Sequence, residues 1–271
     1  MGLLVGAFGT LIGAGGGFIL VPILLLLYPN ETPDHVASIS LAVVFFNALS
    51  GSLAYARLKR IDYKSGIIFS LATVPGAILG ALTTPYLPRR IFDLVFGILM
   101  IVAGTYLWVS HKEQPGAESS RLDDHHSENA GARLVDRKLT DAEGITHYYR
   151  FDLWTGVLLS IFIGFISSLL GVGGGFIHVP VLHRLLNFPV HVATATSRFV
   201  LAIMALTGTL VHITQGAFVH GIRRTAVLGV AVLIGAQVGA RMSNRAGGKL
   251  IMRGLALALV FVGLRLIFAE L

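Results

Sequence analysis

The 271 residues are 54% hydrophobic and 13% charged, with no cysteine and with 21 Lys and Arg against 14 Asp and Glu, a net charge of +7. Soluble chains average roughly a quarter charged residues, and here the charges cluster between uncharged runs at 1–30, 36–56, 65–88 and 153–183. This excludes most soluble folds and, through the missing cysteines, disulfides, thiolate metal sites and Cys nucleophiles.

In chain order, apolar segments are expected at about 2–28, 36–55, 65–87 and 91–109, then at 153–186, 191–212, 223–242 and 250–269. The opening residues Met1–Val5 carry no basic side chain, so a cleavable signal peptide is not expected. Between the two sets, residues 111–150 hold six basic and eight acidic side chains and show no sustained periodicity, which reads as a mobile polar linker. The other 231 residues carry 15 basic and six acidic side chains, net +9. That excess belongs to short loops beside anionic lipid rather than to a nucleic-acid surface. Asp123, Asp124, His125 and His126 have metal-ligand side chains but no partners at a defined spacing, and read as a solvated charge run. Asn30-Glu31-Thr32 fits a glycosylation acceptor, a triplet common by chance.

The chain is a duplication. GGGFILVPIL at 15–24 recurs as GGGFIHVPVL at 173–182, and His35-Val36-Ala37 recurs as His191-Val192-Ala193. ALSGSL at 48–53 recurs as ALTGTL at 205–210, and GAILGA at 76–81 as GAQVGA at 235–240. The offsets run only from 156 to 159, so two copies of one unit, 1–110 and 151–271, flank the linker.

The leading segment of each copy is too long. A helix of 30 residues would run about 45 Å against a hydrocarbon core near 30 Å. Both segments are interrupted by glycines, at Gly13 and Gly15–Gly17 and at Gly171 and Gly173–Gly175, which suit a helix interior poorly. Each is read as two half-helices, either continuing across or folding back. Counting Lys and Arg in short loops separates the two: eight crossings place six inside and six outside, whereas folded-back leading segments invert the second copy and place eight inside and four outside. The expected fold is an all-α polytopic membrane protein of two homologous four-segment repeats, inverted, with glycine-broken or re-entrant leading helices.

A half-helix beginning within the bilayer presents unpaired N–H groups and the positive end of its dipole, which suits an anion. Candidate binding residues are therefore Gly15, Gly16 and Gly17 with Gly173, Gly174 and Gly175. Polar side chains on the second segments, Ser38, Ser40 and Asn47 in one copy and Thr194, Thr196 and Ser197 in the other, add hydrogen-bonding groups. Arg198 stands apart, since an intramembrane arginine is costly and is a functional candidate by default; Ala42 matches it in the first copy. Asp93 is the only acidic residue well inside an apolar run, which disfavours a cation carrier; His178, His212 and His220 could carry protons, but a lone His in a helix bundle is more often a hydrogen-bonded packing residue. No nucleophile–base motif, HExxH or nucleotide-binding loop is present, so neither an enzyme nor a cofactor is expected.

The GAGGGFILVP and GVGGGFIHVP blocks, the Ser/Thr-rich stretches after each HVA, and the paired ALSGSLAY/ALTGTLVH and PGAILGA/IGAQVGA segments resemble the sulfite exporter TauE/SafE family, also called toluene-sulfonate uptake permeases. The resemblance implies a seven- or eight-segment permease of the prokaryotic inner membrane that moves sulfite, sulfonates or related small anions, often outward. It implies a small anionic substrate and the lipid bilayer as partners and leaves a homo-oligomer open. It supplies no role for Arg198, whose assignment rests on its place in the sequence. Two other readings stand beside it: a carrier of another small anion such as a monocarboxylate, and an anion-binding membrane sensor that transports nothing.

Overall fold

A computed structural model describes residues 2–12, 15–28, 30–110, 134–217, 222–242 and 249–269. The tract from Asp123 to His126 and His220 lie outside them. The described chain is mostly helical: α1 Gly2–Ile12, α2 Gly17–Leu27, α3 Pro33–Arg57, α4 Tyr63–Thr83, α5 Arg89–Ser110, α6 Leu153–Leu170, α7 Gly175–Pro180, α8 Val190–Thr214, α9 Ile222–Met242 and α10 Lys249–Ala269. Among the described residues, four helical stretches are long and apolar enough to cross a bilayer: Pro33–Arg57, Tyr63–Tyr86, Leu153–Leu170 and Val190–Thr214.

Residues 134–152, most of which fall in the stretch read as a polar linker, form a two-stranded hairpin of β1 Leu134–Thr140 and β2 Thr146–Asp152. Its turn is set by Asp141, whose Oδ1 accepts the N–H groups of Glu143 and Ile145, with Gly144 at φ 83°. Tyr149 and Phe151 of β2 are buried with Phe69 of α4 and with Leu182, Leu186 and Phe188 ahead of α8. The apolar side chains that order this segment are few, but they are aromatic and large.

The chain divides into two compact units. One holds residues 93–134 and 247–271, where α5 and α10 pack through small residues: Gly97 faces Gly263, and Gly104 faces Ala256. The other holds 1–92 and 135–246 and contains both glycine triplets.

Within this larger unit the two copies exchange partners. Gly76 and Gly80 of α4 lie against the main chain of α6 at Ile161 and Phe165, while Gly235 and Gly239 of α9 lie against that of α1 at Leu3 and Ala7. The repeated GAxxGA block is thus a small-residue seam that lets each copy's third segment approach the other copy's leading helix. Helices α3 and α8 form the central pair. Leu41 meets Gly208, Val44 meets Leu201 through the glycines of the breaks, and Gly51 meets Arg198, so the two helices run in opposite directions. Since Gly51 and Gly208 are equivalent, the counterpart of Arg198 is Leu41, not Ala42; a one-residue slip between the HVA and ALSGSL blocks hides this in the sequence.

Candidate functional site: two helix breaks and a buried arginine

Both leading segments break at their triplets and fold back. In the second copy, α6 ends at Gly171 (φ 68°), and the chain returns beside it: Gly174 lies against Ser167 and Ile163, His178 against Ser160, and Leu186 against Gly156. In the first copy, Gly16 (φ 81°) lies against Val5 and Gly9 of α1. At about 16 Å each, α1 and α2 are half the length needed to span a hydrocarbon core.

The two breaks meet at the α3–α8 crossing. A methyl group added to Gly15 (φ 79°) would stand 2.5 Å from Leu201 Cδ2 and 3.3 Å from Val44 Cγ1. One added to Gly173 (φ 72°) would stand 2.5 Å from Val44 Cγ1 and 3.2 Å from Leu201 Cδ1. Val44 and Leu201 are themselves equivalent positions, so the contacts are reciprocal. Gly17 closes the junction against the carbonyl of Val172, and the rings of Phe18 and Phe176 lie 6.0 Å apart. The triplets therefore do steric work: no larger residue permits this approach. Gly175 donates its N–H to Gly173 O in a tight turn at the start of α7.

Polar groups knit the first break to α3 and α8. Asn47, fully buried, donates from Nδ2 to Gly15 O at 2.8 Å and accepts from Thr10 Oγ1 at 2.8 Å. The Gly9 carbonyl at the end of α1 accepts the N–H of Gly15 and also Nη2 of Arg198. Arg198 is fully buried roughly 12 Å into α8. Its Nη1 would lie 2.6 Å from a methyl on Gly51, and among the described residues neither Nε nor Nη1 has a hydrogen-bond partner, nor does any carboxylate pair with the side chain.

The remaining candidates separate. Ser40 and Ser197 are fully buried with hydroxyls that bond nothing among the described residues, as are Ser167 and Ser168 at the end of α6. Ser38 donates to His35 O and Thr194 to Val190 O, each within its own helix, and Thr196 accepts the N–H of Asp62. Gly9, Thr10 and Gly51 were missed in the sequence, although Gly51 sits in a repeated block and carried a signal. His178 packs edge-on to Phe69 with Ser160 Oγ at 3.3 Å, a packing role.

The end of the unit where α8 begins is covered by the hairpin. Asp62 caps α4 by accepting Ser65 N–H and Oγ, and it also accepts Tyr149 Oη at 2.8 Å, with Arg137 Nε 3.6 Å away. Ala142 N–H donates to Leu58 O, and Arg60 donates to Glu143 at 3.0 Å while facing Asp141 at 3.6 Å. At the opposite end, Asp34 in the first turn of α3 lies 2.8 Å from His212 in the last turn of α8.

Broken, folded-back helices and a buried cation without a carboxylate partner among the described residues, set in long apolar helices, are the features of a membrane protein. The sulfite exporter TauE/SafE family matches residues 1–266, and the chain belongs to this family of membrane transporters. It is 31% identical to the probable membrane transporter protein YunE of Bacillus subtilis, over 99% of this chain and 95% of the relative. A probable membrane transporter protein of Methanocaldococcus jannaschii is 24% identical over 92% of this chain and 86% of its own length. Another from Bacillus subtilis, YdhB, is 26% identical over 98% and 97%. No solved structure matches the chain.

Proposed function

We propose that this protein is a secondary transporter, running outward, for small sulfur-containing anions such as sulfite or organosulfonates of the sulfoacetate kind, spanning the prokaryotic inner membrane several times. The observation that carries the reading is Arg198: a fully buried guanidinium with two nitrogens unbonded and no carboxylate paired with it among the described residues. Buried polar groups are almost always satisfied, and a buried cation without a counter-charge is matched by an anionic ligand. A sulfonate or sulfite offers oxygens to a guanidinium fork. The unbonded hydroxyl of Ser197 and the first-turn N–H groups of α2 supply further donors without adding charge, whereas Ser40 lies about 16 Å along α3 from Gly51, the residue opposite Arg198.

Alternating access follows from inversion of the repeats. The opposed run of α3 and α8, the reciprocal seating of Gly15 and Gly173 on Val44 and Leu201, and the exchange of glycine seams support a two-fold axis in the membrane plane. With the loop between α3 and α4 inside, the hairpin lies on the cytoplasmic side and the leading segments are re-entrant. An inside-negative potential then favours exit of the anion by about 2.3 kcal/mol per charge per 100 mV.

The test is counterflow of labelled sulfoacetate into proteoliposomes, competed by sulfite, methanesulfonate and a monocarboxylate. Saturable exchange blocked by the sulfur anions and not by the monocarboxylate is expected. Exchange competed by the monocarboxylate alone assigns another substrate class, and binding without exchange makes the protein a sensor.

A further inference from the structure

The α3–α8 seam holds a second ionisable site that the anion reading leaves unused. His212 is fully buried, and its Nδ1 lies 2.8 Å from Asp34 Oδ1, at ion-pair distance but without hydrogen-bond geometry, while Nε2 has no hydrogen-bond partner among the described residues. The contact joins the first turn of α3 to the last turn of α8, so it closes one end of the seam whose other half carries Arg198. Fourteen residues separate His212 from Arg198 along α8, about 21 Å at helical rise.

Counting charges along the seam gives this pair a purpose. With His212 neutral, the Asp34 carboxylate and the Arg198 cation stand about 21 Å apart, too far to pair, and apart from the exposed Arg57 at the end of α3 they leave the seam without net charge. An anion bound at Arg198 then leaves one uncompensated negative charge in a low-dielectric seam, and a proton on His212 removes it. We propose that Asp34 and His212 form a proton-binding site linked to the anion site, so that anion binding at Arg198 raises the proton occupancy of His212. The proposal rests on the anion reading of Arg198. Linkage is reciprocal, so acid must also strengthen anion binding.

The neighbouring charges do not account for such an effect. At the Asp34 end, Glu31 and His35 form their own partly exposed pair at 3.0 Å, and Arg89 donates to the main-chain oxygen of Glu31. Helix α6 carries no ionisable side chain, nor does α4 beyond Lys64. His178 of α7 lies against Phe69 of α4, away from this end, and His183 and Arg184 precede the start of α8. Histidine is the side chain that ordinarily changes charge between about pH 5 and 8.

The experiment measures equilibrium binding of labelled methanesulfonate to detergent-purified protein between pH 5.5 and 8.5, a range in which this probe stays a monoanion. It also measures proton uptake on binding in weakly buffered solution with an indicator dye. Two unit charges 21 Å apart at an effective dielectric of 20 correspond to about a fourfold change in affinity. The wild type and His35→Gln should bind about fourfold more tightly at the acid end and take up protons. His212→Gln and Asp34→Asn, each checked for monodisperse elution, should bind with a flat pH profile and take up none. Binding in the wild type without pH dependence or proton uptake overturns the linkage and leaves the anion site standing. An unchanged profile in Asp34→Asn, the milder of the two variants, also overturns it. No binding at any pH overturns the anion site and the linkage together.

Discussion

Arg198 reaches the first glycine break because Gly51 has no side chain. A methyl group there would stand 2.6 Å from Nη1 and 3.0 Å from Cδ of the arginine, and the guanidinium occupies that space to donate to Gly9 O. Replacing Gly51 by Ala should push the guanidinium off the Gly9 carbonyl. Charged hydrogen bonds contribute about 1.5–3 kcal/mol, so sulfoacetate affinity should fall roughly tenfold or more in Gly51→Ala while the protein still elutes as a single species. Gly208→Ala, which meets Ser168 and Leu41 instead, should leave affinity within about twofold. Equal losses in the two variants would assign Gly51 to packing alone.

Gly17 makes the closest approach between the two breaks, against the carbonyl of Val172, where a side chain can be accommodated only by moving main chain. Gly17→Ala should therefore destabilise by about 1–3 kcal/mol, the usual cost of overpacking. The measurement is the temperature at which half the monodisperse peak is lost in detergent. Gly144→Ala is the comparison, since nothing lies within 4 Å of a methyl there and only its φ of 83° is strained. A Gly17→Ala protein as heat-resistant as the wild type would mean that the breaks separate freely.

The hairpin is held by two contacts with opposite pH limits, one set by the hydroxyl of Tyr149 and one by the carboxyl of Asp141. Burial raises the hydroxyl of Tyr149 above the ordinary tyrosine range, and the adjacent Asp62 carboxylate adds to this. A raised value means docking strength is fully present below about pH 10 and is lost as pH rises further. Asp141 is pushed up by burial, but the N–H groups of Ile145 and Glu143 and the charge of Arg60 outweigh this and hold it below the usual carboxylate range. Its contribution is present above about pH 4 and is lost as pH falls. Protease nicking at the hairpin should be slow from about pH 4 to 10 and rise on both sides of that window. Tyr149→Phe should raise it within the window by roughly tenfold, consistent with about 1.5 kcal/mol for a hydrogen bond to a charged acceptor. Nicking equally fast at every pH would contradict the docked hairpin.

The duplication, the broken leading helices and the extents of α3, α4, α8, α9 and α10 are legible in the sequence, because apolar runs and glycine triplets act locally. The partner exchange is not, since nothing in GAILGA says which helix its glycines will meet. The hairpin was hidden for another reason. LVDRKLT and THYYRFD do alternate, but over seven residues each and beside a highly charged tract, so the period-two signal is swamped. The aromatic Tyr149 and Phe151 and the turn at Asp141–Gly144 are the clues that were present. At the site, Arg198 and Asn47 stand out as polar residues in apolar runs, whereas Gly9 and Thr10 matter only because folding brings them beneath α3 and α8.

The central claim is that Arg198 holds the anion. Equilibrium binding of labelled sulfoacetate to wild type and to Arg198→Gln, both monodisperse, addresses it with no assumption about direction or coupling. Removing one partner of a buried charge contact costs about 2–5 kcal/mol, so affinity should fall at least thirtyfold in Arg198→Gln. Binding within about twofold of the wild type would show that the guanidinium only ties α8 to Gly9, and the anion site would have to be sought elsewhere.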